Sequence, residues 1–210
     1  MLIGILGYAG AGKDTVASLL PGFERRAFAD KLRDLALRIN PWLIYYGSLL
    51  ANVVEERGWE ASKRESPEVR RLLQNLGQGA REVLGDSIWI DAVLPGNIID
   101  YDALDIVVTD VRYPNEATRI DTFLGRLWVI SKPGTGPVNS HASEGFGEWI
   151  SQFVSRYKIT TILNDGTLED LPFAVTAALD NERKPDHLRI NGATYSANAC
   201  AFVARTLEAS

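Results

Sequence analysis

Residues 7–15 read Gly7-Tyr8-Ala9-Gly10-Ala11-Gly12-Lys13-Asp14-Thr15 and follow an apolar run, Leu2-Ile3-Gly4-Ile5-Leu6. A buried strand, a glycine-rich turn ending in lysine, and a helix rising from Asp14-Thr15 would form a phosphate cradle. In such a cradle backbone N–H groups face the anion and the lysine reaches the β- and γ-phosphates. The pattern predicts binding of a nucleoside triphosphate. The spacing fits G-x-x-x-x-G-K, but Asp14 stands where the common pattern has a magnesium-binding Ser or Thr, and the hydroxyl comes one residue later at Thr15. Asp14 either accepts hydrogen bonds from metal-bound waters or is a favourable acid in the first turn of a helix.

The second chemistry-bearing segment runs from Asp105 through Asp110 and Arg112 to Glu116, with the apolar run Ile106-Val107-Val108 inside it. An acid at the carboxyl end of a buried parallel strand sits on the ligand-bearing edge of the sheet, close to the phosphates if that strand neighbours the first. Asp110 is the natural metal-side carboxylate, and Arg112 can hold a phosphoryl group by bidentate hydrogen bonds; a structural ion pair between the two is the plainer alternative. Glu116 either orients Arg112 or is an exposed first-turn acid. Asp30 ends the expected second strand, placed for a sugar hydroxyl, a metal-bound water or a helix N-cap. Asn164, Asp165 and Gly166 follow the last expected strand and can present backbone groups to an adenine, although turn chemistry alone accounts for Asp-Gly.

These residues need a scaffold, and the apolar pattern predicts one: short runs alternate with helical periodicity, the mark of a mostly parallel sheet of about five strands between helices. Strands are expected at 2–6, 25–28, 106–109, 127–131 and 159–163. Helices are expected at 13–20, from Asp30 to Pro41, from Pro67 to about Leu84, from Pro114 to about Phe123, and after Thr167-x-x-Asp170. Residues 42–66, mixing Trp42, Tyr45, Tyr46 and Trp59 with charges, read as irregular and as part of an insertion at about 41–90 that binds the acceptor substrate. Residues 132–148, with Pro-Gly-Thr-Gly-Pro, read as a flap carrying Lys132, His141, Ser143 and Glu144. The division is therefore a domain over 1–181 and an extension over 182–210 whose alanine-rich part looks helical and can pack on the domain or on a second copy as a homodimer.

The chain has 210 residues, enough for one α/β core with an insertion. Its formal net charge of −5 and lack of a long basic run argue against a nucleic-acid partner. The single cysteine, Cys200, forms no internal disulfide. No apolar stretch has the length of a membrane span, and a strand expected from Leu2 leaves no space for a leader, so a cytoplasmic location is expected.

Taken together, the motifs resemble the deoxynucleoside monophosphate kinases of the bacteriophage type. The resemblance rests on the phosphate loop, Phe28-Ala29-Asp30-Lys31-Leu32-Arg33, Arg70-Arg71-Leu72-Leu73-Gln74-Asn75-Leu76-Gly77, Trp89, Thr109-Asp110-Val111-Arg112 through Ala117, His141-x-Ser143-Glu144, and Asn164 through Leu171. These segments keep the family's order from Met1 to about residue 180. The Gly-Lys-x-Thr order at 12–15 also looks like nucleotide and small-metabolite kinases. The resemblance implies a three-layer P-loop kinase fold and transfer of a γ-phosphoryl group from ATP, with Mg²⁺, to a deoxynucleoside 5′-monophosphate. It places the enzyme in the cytoplasm, that of the host if a phage encodes it. It further implies that Lys13, Asp110 and Arg112 act on the transferring group. ATP would be held by Gly7, Ala9, Gly10, Ala11, Gly12, Lys13, Asp14, Thr15, Asn164 and Gly166. The acceptor would be held by Asp30, Arg33, Arg70, Gln74, Trp89, Arg112 and Glu116, and the metal by Asp14, Thr15 and Asp110, directly or through water. Two other classes stay open: transfer to a sugar hydroxyl with Asp30 as base, as in dephospho-coenzyme-A kinases, and a non-catalytic ATP-binding regulator.

Overall fold

The computed structural model describes residues 1–94, 96, 104–137, 145–153, 159–167, 169–183, 187–190 and 193–196. The chain divides into two compact units, Met1–Arg25 with Asn97–Ser210, and Arg26–Gly96.

The first unit is built on β1 (Leu2–Leu6), whose five residues are all buried. Such a strand must be covered on both faces, and its side chains alternate between two helical layers. Ile3 and Ile5 face the core shared with α1 (Lys13–Ser18) and α8 (Leu171–Arg183), where Val16, Ala17, Val175 and Leu179 pack. On the opposite face Gly4 leaves space for Ile120 of α6 (Pro114–Thr122), and a Cβ there would collide with the Ile120 side chain. The result is a three-layer α/β sandwich. Its sheet has the order β2-β5-β1-β6-β7, with β2 (Glu24–Arg26), β5 (Ile106–Val108), β6 (Arg126–Ser131) and β7 (Ile159–Leu163). The pairs β1–β5, β1–β6 and β6–β7 are parallel, in register at Gly4 with Val108 and at Leu6 with Val129. The strands that the sequence predicts thus form one sheet with β1 at its centre.

A short helix, α7 (Phe146–Phe153), begins inside the segment read as a flap. After α8 comes an antiparallel pair, β8 (His187–Ile190) and β9 (Ala193–Ser196), rather than the start of a helix. Alternation of apolar and polar residues in His187-Leu188-Arg189-Ile190 suits a strand, and Asn191-Gly192 between the two is a hairpin signal. The alanine-rich remainder, 197–210, lies outside the described residues. The boundary read after 181 falls within α8.

The second unit holds α2 (Phe28–Ile39), the hairpin β3 (Trp42–Leu43) and β4 (Ser48–Leu49), α3 (Leu50–Glu65), α4 (Pro67–Leu84) and α5 (Ile88–Val93). Residues 42–66 are therefore ordered into a hairpin and a helix, not irregular. Leu50, Val53 and Val54 supply one apolar face, and they pack with Ala36, Leu43, Val69 and Leu73. The hairpin turn is tied down by Glu68, whose two carboxylate oxygens accept the N–H groups of Ile44 and Tyr45 at 3.1 and 3.0 Å. Among the described residues no helix is long and apolar enough to cross a membrane.

Candidate active site

The loop leaving β1 is shaped by what its glycines permit. Gly12 takes φ 96°, ψ 22° directly before α1, and a Cβ would lie 2.6 Å from the Asn164 side-chain nitrogen. At Gly7, φ is 153° and a Cβ would lie 2.8 Å from the Ile130 carbonyl oxygen. Any other residue at these two positions would displace the loop from β6 or from Asn164. Lys13 folds back across the loop, its Nζ donating to the carbonyls of Gly7 at 2.7 Å and Tyr8 at 3.0 Å. These two bonds hold the ammonium against the glycine-rich loop itself.

Ala9 and Gly10 are exposed at the loop's tip, whereas Ala11 is buried. Thr15 is exposed on α1. Asp14 is exposed as well and pairs with Arg25, Oδ1 to Nε 3.7 Å. Asn164 braces the loop from behind: its side-chain amide donates to the Ala11 carbonyl at 2.9 Å, and its own N–H donates to the Ser131 carbonyl at 2.7 Å. The sequence points to Asn164 for backbone contacts with a base and does not reveal this brace, because a contact across 153 residues has no local signal. Gly166 lies in the turn that follows, where Asp170 accepts hydrogen bonds from the Thr167 N–H and hydroxyl, both at 2.8 Å. Those bonds, the backbone one foremost, hold the Asp170 carboxyl below its usual range.

Because β5 pairs directly with β1, the loop 109–113 that leaves β5 lies on the same edge of the sheet as the phosphate loop, with Asp110 two residues past Val108, the register partner of Gly4. Val111 continues the pairing by donating its N–H to the Ile5 carbonyl at 3.2 Å. Arg112 is fixed by its backbone on both sides. Glu116, buried in the first turn of α6, accepts the Arg112 N–H at 2.7 Å and the Tyr113 N–H at 3.1 Å through one oxygen. The Arg112 carbonyl accepts the indole N–H of Trp149 at 3.2 Å. Glu116 is thus not an exposed acid: one of its carboxylate oxygens holds the backbone around Arg112, the orienting part that the sequence offered as the alternative. Trp149 was not singled out by sequence reasoning. Its helix, α7, also meets the phosphate loop, since a side chain at Gly147 would strike the Tyr8 hydroxyl.

In the second unit, Asp30 and Arg33 pair along α2, Nη1 to Oδ1 3.6 Å, and Arg33 also pairs with Glu60 of α3 at 3.1 Å. Arg70 is exposed on α4 and Gln74, one turn on, is half-buried. Trp89 is 6% exposed, and its indole N–H donates to the Gly77 carbonyl at 3.0 Å, so it joins α5 to α4. Lys132 is exposed, and its carbonyl accepts the Thr135 hydroxyl in a tight turn. His141, Ser143 and Glu144 lie outside the described residues.

Comparison with known proteins adds a relative. The chain is 26% identical over 200 residues to a curated protein of Acanthamoeba polyphaga mimivirus named "Putative deoxynucleotide monophosphate kinase", covering 86% of this chain and 97% of that protein. The name agrees with the resemblance carried by the motifs. No family model matches the chain. Among solved structures it is similar to dephospho-CoA kinase from Campylobacter jejuni, with TM-score 0.43, 12% identity, and coverage of 87% of this chain and 97% of that one. It is also similar to shikimate kinase from Aquifex aeolicus, with TM-score 0.40, 13% identity, and coverage of 87% and 98%.

Proposed function

We propose that this protein is a kinase that moves the γ-phosphoryl group of ATP onto a deoxynucleoside 5′-monophosphate, in the cytoplasm, for DNA precursor synthesis. The observation that carries the donor half is Lys13, bridging the Gly7 and Tyr8 carbonyls across a loop whose path demands glycine at 7 and 12. The acceptor class is supported by the mimivirus relative, matched over nearly its whole length.

The acceptor's phosphate oxygen is already anionic, so no strong base is needed. That oxygen forms a bond to the γ-phosphorus, the bond to the β–γ bridging oxygen breaks, and ADP leaves with the electron pair. What the chain must supply is position and positive charge. Lys13 and the loop amides serve the donor phosphates, and Arg112, held on both sides of its backbone, serves the transferring group. Arg33 and Arg70, with Gln74 and Asp30, serve the acceptor.

The donor set suits Mg²⁺. Thr15 and Asp110 offer hard oxygen ligands beside the loop, and among the described residues no cluster of three or more His, Cys, Asp or Glu exists to cage an ion. An ion held mainly by phosphates and water needs no such cage. When bound, Mg²⁺ supplies charge neutralisation at the phosphates. Asp14, paired with Arg25, is assigned at most a water-mediated part.

Separate measurements of ATP and acceptor binding on folded variants test both halves. Lys13→Ala should lower turnover by about 10²-fold or more. Arg33→Ala and Arg70→Ala should each weaken acceptor binding by about tenfold, leaving ATP binding unchanged. Wild-type acceptor binding in both arginine variants would remove them from the site.

A further inference from the structure

Gly58 divides α3. Its φ of 74° and ψ of 164° are conformations that a side chain resists, and a Cβ there would meet nothing within 4 Å, so the glycine answers a demand of the backbone and not of space. Ser62, fully buried, locks the break by donating its hydroxyl to the Gly58 carbonyl at 2.7 Å. The turn after the break brings Trp59, Glu60 and Lys63 to Arg33 of α2. The guanidinium lies 5.9 Å from the Trp59 ring centroid. A single oxygen, Glu60 Oε1, accepts from Arg33 Nη2 at 3.1 Å and from Lys63 Nζ at 2.6 Å.

The burial of this trio is uneven. The Arg33 and Lys63 side chains are 23% and 25% exposed, whereas that of Glu60 is 77% exposed. Two half-buried cations therefore converge on an anion that is itself in solvent, where ion pairs are weak and easily exchanged. Arg33 also has Asp30 of its own helix at 3.6 Å; a phosphate monoester near charge −2, with three acceptor oxygens, outcompetes the more exposed Glu60 carboxylate for the cations that Glu60 bridges. The cation–π contact between Trp59 and Arg33 does not depend on which anion is bound.

We propose that the turn 59–63 is the acceptor-recognition element of this protein. Arg33 and Lys63 take the monophosphate, and Glu60 is a resident anion that yields its place when the nucleotide arrives. Lys63 becomes a binding residue, and Glu60 sets how tightly the acceptor is held. The inference rests on the monophosphate-kinase reading and goes beyond it, because that reading names Arg33 and no residue of α3.

The test is steady-state kinetics of the full chain with a deoxynucleoside monophosphate and ATP, on wild type, Glu60→Gln, Lys63→Ala and Lys63→Gln. Releasing two exposed ion pairs should lower the acceptor KM of Glu60→Gln about fivefold. Both lysine variants should raise it about tenfold, the second serving if the first is poorly folded. In every variant the change should be confined to the acceptor KM, leaving the ATP KM at its wild-type value. Unchanged acceptor KM values in an active enzyme would overturn this inference and leave the proposed function standing. A raised KM in Glu60→Gln would overturn the displacement, since Glu60 would then contact the nucleotide itself. A wild-type protein that turns over no monophosphate would overturn both.

Discussion

The cluster around Glu60 has a counterpart in the first unit. Glu182, on α8, is fully buried at its side chain; it accepts from Arg126 Nε at 2.9 Å and from the Thr160 hydroxyl at 2.5 Å. Both clusters set one carboxylate between two donors, but they differ in what water can do. The Glu182 carboxylate itself has no solvent to replace a lost donor, and its two bonds tie α8 to β6 and β7. Around Glu60 solvent or a ligand can replace any member, which makes the arrangement adaptable. Burial separates the anchor from the exchangeable site, and hydrogen-bond count does not.

The largest effect should come from breaking the anchor. Glu182→Ala leaves Arg126 without its carboxylate in a place that is 17% exposed, and should cost about 3–5 kcal/mol of stability in denaturant titration. Truncation after residue 181 should act in the same direction, because it also removes Glu182. A cost below about 1 kcal/mol would show that the buried pair is not the tie between α8 and the sheet. Next is Trp149→Phe, which deletes the indole N–H on the Arg112 carbonyl; turnover should fall by about three- to tenfold with both KM values near wild type. A wild-type turnover number would dismiss the Trp149 contact as packing. Glu60→Gln, the exposed counterpart of Glu182→Ala, should move stability by less than about 1 kcal/mol.

The smallest effect concerns pH. Asp170 is held below its ordinary value by the Thr167 hydrogen bonds, so it stabilises the fold above the unfolded carboxylate value of about 3.9 and loses that contribution as pH falls through the lower, folded value. Asp170→Asn should therefore show a shallower fall in thermal midpoint from pH 6 to pH 3 than wild type. Parallel curves would deny the turn a role in acid stability.

The sheet was legible because runs such as Leu2–Leu6 and Ile106–Val108 are apolar throughout, which only a strand covered on both faces requires. The phosphate loop was legible because glycine and lysine at fixed spacing have few other reasons to occur together. α3 was not: Leu50, Val53 and Val54 carry a helical period, but Gly58 interrupts it and the aromatic residues before it suggest loop. The clamp on Arg112 and the Asn164 brace stayed hidden because each joins residues distant in sequence, Trp149 to Arg112 and Asn164 to Ala11. Glu116 was half legible: its place in the first turn of α6 was evident, its burial was not.

The most direct test of the central claim is an assay of ADP formation from ATP and Mg²⁺ with each deoxynucleoside and ribonucleoside 5′-monophosphate, alongside sugar-hydroxyl acceptors and a no-acceptor control. The account predicts ADP release that depends on one or more deoxynucleoside monophosphates, with the matching diphosphate formed in equal amount. ADP release that is independent of acceptor, or that is supported only by hydroxyl acceptors, would contradict it.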